Sequence, residues 1–166
     1  MSPRTGTGTG DGGLYSAAER ARRDATRWTL VQGILAPVQF ALFLISVVLV
    51  LRFLATGEGY LLATWSIVAK TAALYLIMAT GAIWEKVVFG RYLFAPAFFW
   101  EDAFSMVVIG LHTAYLVALL TEALTPAGLM VVALAAYVTY VINAGQFVLK
   151  LRQARLEPAR NDGVAA

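Results

Sequence analysis

Four long apolar stretches organise the chain, with short polar stretches between them. No charged residue falls between Arg27 and Arg52. A second run covers residues 60–84 and is broken by one charge, Lys70. A third covers residues 103–121 and contains the sole histidine, His112, and a fourth lies between Glu122 and Lys150. A hydrocarbon core about 30 Å thick is crossed by roughly 20 apolar residues in a helix. A helix also satisfies its backbone polar groups within the segment, as lipid demands. The pattern predicts an all-α polytopic membrane protein, a four-transmembrane-helix bundle over residues 28–151. Thr125-Pro126 supplies a cap and a first-turn proline for the fourth helix.

The few polar residues inside these runs recur at helical spacing. Gln32, Gln39 and Ser46 follow one another every seven residues in the first run. Glu101, Ser105, Val108, His112 and Tyr115 share one face of the third, and Tyr140, Asn143 and Gln146 gather near the end of the fourth. Polar groups at membrane depth face protein or a water-filled space, so the bundle has a polar interior. Amides and hydroxyls there often do no more than join helices, at about 0.6 kcal/mol per hydrogen bond. Lys70 is harder to treat so, because a lysine at a helix centre costs about 2.5–3.5 kcal/mol to insert. Snorkelling or a structural partner is its alternative, and a satisfied interior histidine is the alternative for His112.

Composition and charge fit the same picture. Of the 166 residues, 60% are hydrophobic and 14% charged, against about 25% charged in soluble domains. Basic residues sit unevenly. Arg20, Arg22, Arg23 and Arg27 precede the first run, Lys86 and Arg91 separate the second and third, and Lys150, Arg152, Arg155 and Arg160 follow the fourth. The other side carries only Arg52. The positive-inside rule therefore places both termini and the segment around residue 90 in the cytoplasm. Residues 1–13, rich in Gly and Thr, read as a disordered tail with no secretory core. Residues 14–27 read as an interfacial helix or a solvated basic lead-in, and residues 152–166 as a cytoplasmic tail that is disordered from residue 156 on.

Several chemistries are excluded. The chain has no cysteine, hence no disulfide, thiolate metal site or iron–sulfur cluster. One histidine cannot hold a haem from both sides, and the paired Glu-x-x-His motifs of di-iron bundles are absent. No Walker loop is present, and no nucleic-acid partner is expected. Ser105 and His112 lie two turns apart on one helix, too far to form a hydrogen-bonded nucleophile pair. Carboxylates, lysines, tyrosines and one imidazole remain, a set suited to acid/base work without a redox cofactor.

The segment EKVVFGRYLFAPAFFWED, residues 85–102, stands apart. Glu85, Lys86, Arg91, Glu101 and Asp102 bracket the aromatics Phe89, Tyr92, Phe94, Phe98, Phe99 and Trp100, with Pro96 interrupting any continuous helix. An aromatic belt at the interface explains some of these rings. Their density also suits a platform for a flat apolar ligand, with Lys86 and Arg91 placed to hold an acidic substituent.

The longer run EKVVFGRYLFAPAFFWEDAFSMVVIGLHTAYL resembles the signature of the 2-vinyl bacteriochlorophyllide hydratase family of bacteriochlorophyll biosynthesis. The resemblance continues through WTLVQGILAPVQF, LRFLATGEG and AYVTYVINAGQFVLKLR, covering about residues 28–151. It implies a bacterial inner-membrane enzyme, cytoplasmic or intracytoplasmic, that adds water to the C3 vinyl group of a magnesium chlorin or bacteriochlorin. The product is a 1-hydroxyethyl pigment, and the magnesium belongs to the substrate. No cofactor or metal of the enzyme's own is expected. Oxygen goes to the carbon next to the ring, so the terminal carbon is protonated first. Glu101 is the expected acid, with Glu85 or Asp102 as base. Lys86, Arg91, Tyr92, Phe94, Phe98, Phe99 and Trp100 are the expected pigment-binding residues. His112 is added to them as a ligand to the pigment magnesium, although it lies roughly 16 Å from Glu101 along the helix. A homo-oligomer or neighbouring pathway enzymes are further expected partners. A non-enzymatic pigment-binding or assembly subunit and a small transporter are the rival readings.

Overall fold

A computed structural model describes residues 14–162, with side chains to residue 153. The expected tail at residues 1–13 lies outside them. Five helices follow in order: α1 (Ala17–Ala25), α2 (Arg27–Thr56), α3 (Tyr60–Phe89), α4 (Phe99–Leu120) and α5 (Pro126–Asp162). All but α1 are long and apolar enough to cross a membrane.

Local chemistry sets the helix ends. Ser16 caps α1 in a reciprocal box: its hydroxyl accepts from the Glu19 amide at 3.3 Å, and the Glu19 carboxylate accepts from the Ser16 amide at 2.8 Å. Gly57 and Gly90 end α2 and α3 at φ 75° and 84°, the left-handed conformation that glycine adopts without penalty. Thr125 caps α5, accepting from the Gly128 amide at 3.2 Å, with Pro126 in the first turn. The helices outrun the apolar stretches. α3 continues past Trp84, so Glu85, Lys86 and Phe89 are helical, and α4 begins at Phe99, so Glu101 and Asp102 lie in its first turn. The aromatic loop therefore shortens to residues 90–98. α5 likewise runs on to Asp162, into the stretch expected to be a disordered tail from residue 156.

α2 packs closely on α3 and α4 on α5, giving two hairpins joined along a shorter seam. The polar stripes face that seam. Gln39 and Ser46 are buried on α2, and Glu101, Ser105, Val108, His112 and Tyr115 are buried on α4. Large apolar side chains such as Leu30, Val48, Trp65, Leu120 and Val131 face outward.

α1 itself buries nothing, but Tyr15 just before it is 2% exposed. Its ring stacks on Phe89 at 5.7 Å, and Arg22 Nε donates to the Val88 carbonyl at 2.8 Å. Burial pushes the Tyr15 hydroxyl up from its usual range, with the Arg23 guanidinium pulling the other way. Tyr15→Ala removes this anchor. We expect a local cost of roughly 3 kcal/mol, read as faster proteolysis and hydrogen exchange across residues 14–25 with α2–α5 unaffected.

Candidate functional site

The site forms where α3 ends, loop 90–98 turns and α4 begins. The three carboxylates expected to act are all buried: Glu85 is 5% exposed, Glu101 7% and Asp102 3%. They are not equivalent. The Glu85 and Asp102 carboxyl groups lie close together, each held by one of two successive loop amides, and two buried carboxylates so placed favour one shared proton over two negative charges. Glu101 instead forms an ion pair with Lys150 of α5, Nζ to Oε2 at 2.9 Å.

The loop backbone explains how Glu85 and Asp102 come together from elements seventeen positions apart in sequence. Phe94 adopts φ 58°, a left-handed conformation that costs a non-glycine residue about 1–2 kcal/mol. The turn aims two successive amides inward, a small anion-binding nest. Phe94 N donates to Asp102 Oδ2 at 2.7 Å, and Ala95 N donates to Glu85 Oε2 at 3.3 Å. Hydrogen bonds to carboxylates are strong enough to offset that backbone cost.

The aromatics separate into two groups. Phe98 is 2% exposed and sits among Trp84, Phe89, Phe147 and Tyr15, at ring-centre distances of 5.7, 5.8, 6.0 and 6.3 Å. This group is packed core. Tyr92, Phe94, Phe99 and Trp100 are exposed, with Phe99 in ring contact with both Phe94 and Trp100. They form a shelf whose Phe94 amide touches Asp102. A cleft of about 330 Å³, lined by Leu14, Glu19, Phe89, Pro96 and Ala97, opens beside the loop. Lys86 Nζ donates to the Gly90 carbonyl at 2.8 Å and lies over the Tyr92 ring, while Arg91 is exposed.

His112 is not part of this group. It lies deep in the seam, 0% exposed. Nδ1 faces the Val108 carbonyl at 2.8 Å and so carries the proton, leaving Nε2 to accept from Lys70 Nζ at 3.2 Å. Lys70 is also fully buried, with its ammonium 3.9 Å from the Tyr140 ring centre. The histidine's one free lone pair thus points at Lys70 rather than at the loop.

Three contributors went unrecognised in the sequence as parts of the site. Lys150 follows Asn143 by seven residues, so its place on the seam face of α5 was readable from spacing. Phe147 lies next to that stripe. Tyr15 stands alone in a polar lead-in, and only its packing reveals its role.

The family model described as 2-vinyl bacteriochlorophyllide hydratase matches residues 15–153, a span that begins at Tyr15. A protein of that name from Cereibacter sphaeroides is 72% identical over 145 residues, covering 87% of this chain and 89% of the relative. One from Rhodobacter capsulatus is 69% identical over 150 residues, covering 90% and 86%. No solved structure matches. With a family match over most of its length and two relatives this similar, the chain belongs to the 2-vinyl bacteriochlorophyllide hydratase family.

Proposed function

We propose that this chain adds water to the C3 vinyl group of a bacteriochlorophyllide, giving the 3-(1-hydroxyethyl) pigment. The observation that carries the residue assignment is the buried Glu85–Asp102 pair, held by the Phe94 and Ala95 amides, beside an exposed aromatic shelf. A flat macrocycle stacks on Tyr92, Phe94, Phe99 and Trp100, with Arg91 and Lys86 near its propionate and its vinyl group toward the carboxyl pair.

The proton held between Glu85 and Asp102 passes to the terminal vinyl carbon. The π pair forms the new C–H bond and leaves a cation on the carbon next to the ring, spread into the macrocycle. Glu101, an ion-paired carboxylate, faces that charge and accepts the proton of the attacking water. These roles reverse the expectation that Glu101 is the acid, because the ion pair with Lys150 suits an acceptor. One water is consumed and no electrons are exchanged, so no redox cofactor is required. The magnesium rides on the substrate, and His112 stays with Lys70.

The four apolar helices span a bacterial inner membrane in this reading, with lipid against their outer faces. Both termini and loop 90–98 face the cytoplasm, where the arginines and lysines concentrate. The test is incubation of membranes containing the protein with the vinyl pigment, without nucleotide or reductant. A hydroxyethyl product is expected. Bound but unchanged pigment would instead favour an assembly subunit, and pigment flux into proteoliposomes a carrier.

A further inference from the structure

On the interior side of Glu101, four side-chain atoms are buried without a hydrogen-bond partner among the described residues: Gln39 Nε2 and Oε1, Asn143 Oδ1 and Gln146 Oε1. Gln39 is 2% exposed and Asn143 7%. The rings of Phe43 on α2 and Tyr140 on α5 lie 5.0 Å apart, which fixes the register of the two antiparallel helices. Gln39 is one turn from Phe43 toward the loop end. Asn143 and Gln146 are one and two turns beyond Tyr140 in the same direction. The three amides thus occupy one layer of the seam, between the tyrosines and the Glu101–Lys150 pair. Asn143 ties that layer to α4: its Nδ2 donates to Ser105 Oγ at 2.8 Å, and Ser105 Oγ donates to the Glu101 backbone carbonyl at 2.9 Å.

One donor and three acceptors remain open in a layer that lipid cannot satisfy. Buried amides of this kind are held by ordered water, which needs two to four polar partners. We propose that Gln39, Asn143 and Gln146 form a water site between the two hairpins, and that the water it holds is the reactant delivered past Glu101 to the pigment. Rings stacked on the outer shelf shield the cation from bulk solvent, so supply from the interior selects the face of attack. In the step itself the water oxygen forms the C–O bond to the carbon next to the ring. One of its O–H bonds breaks, and that proton goes to the Glu101 carboxylate. The inference rests on the assignment of Glu101 as proton acceptor.

Gln39 offers the cleanest test, because its amide makes no hydrogen bond among the described residues. If its role is structural, Gln39→Leu relieves an unpaired amide and leaves turnover alone. If it holds the reactant, Gln39→Leu lowers kcat by about tenfold, the rate equivalent of one hydrogen bond, while pigment KM stays the same. Gln39→Met, closer in shape, is the second variant should leucine disturb folding. Both are assayed beside Glu101→Gln. Low kcat with unchanged KM in the Gln39 variants and an inactive Glu101→Gln support the water site. An inactive Glu101→Gln with wild-type turnover in both Gln39 variants overturns the water site alone. Normal turnover in Glu101→Gln overturns the acceptor assignment and the water site with it.

Discussion

Asp102→Asn is expected to cut hydration by about 10²- to 10⁴-fold, the range that a positioned acid or base contributes. Asparagine keeps the shape of aspartate and can still meet the Phe94 amide that now bonds Asp102 at 2.7 Å. It cannot share a dissociable proton with Glu85, so the donor is lost while loop 90–98 stays in place. Glu101→Gln is expected to fall in the same range for the opposite reason: an amide cannot take up the water's proton. It also leaves Lys150 without its anion, so charge loss and chemistry need separating. Lys150→Met does so. If Glu101 acted only as the lysine's partner, the two variants would match in rate; with Glu101 in the chemistry, Glu101→Gln is far slower. Pigment binding, followed by its absorption shift, is expected to persist in Asp102→Asn and Glu101→Gln, because the shelf of Tyr92, Phe94, Phe99 and Trp100 is untouched.

The second large effect lies in the membrane interior. His112→Leu removes the hydrogen-bond acceptor of Lys70, which is fully buried. A buried hydrogen bond to a charged group is worth about 1.5–3 kcal/mol, and an orphaned donor adds its desolvation cost. His112→Leu should therefore be strongly destabilising, seen as a lower Tm in detergent. The double variant Lys70→Leu/His112→Leu should recover most of the loss, since replacing both partners of a buried polar pair by apolar residues is often neutral or stabilising. Additive losses would show that the two residues do not act as a pair.

These two sites were legible in the sequence to different degrees. The four apolar helices announce themselves because charge interrupts the chain only at their borders and at Lys70. The buried stripes were visible too, since polar residues at spacings of three, four and seven mark a face where apolar residues lie on every side. Helix ends were less legible. Backbone hydrogen bonding does not stop where apolar side chains stop, so α3 continues five residues past Trp84 to the left-handed turn at Gly90. Glu85, Glu101 and Asp102 stood out as charges among aromatics, but not their pairing. That depends on a left-handed Phe94, and no residue preference announces such a turn at a phenylalanine. The Lys70–His112 contact was hidden for a related reason. Each helix shows its own buried face, yet which buried residues meet across the seam is set by how the two hairpins align.

The most direct test of the mechanism is hydration of the vinyl pigment by the purified protein in heavy water. Any addition of water leaves one solvent-derived deuterium on the new methyl group, so the rate is the readout: if proton transfer from the carboxyl pair to the terminal carbon limits turnover, turnover is slower than in ordinary water. Turnover as fast in heavy water as in ordinary water would contradict proton transfer from the carboxyl pair to the alkene as the slow step.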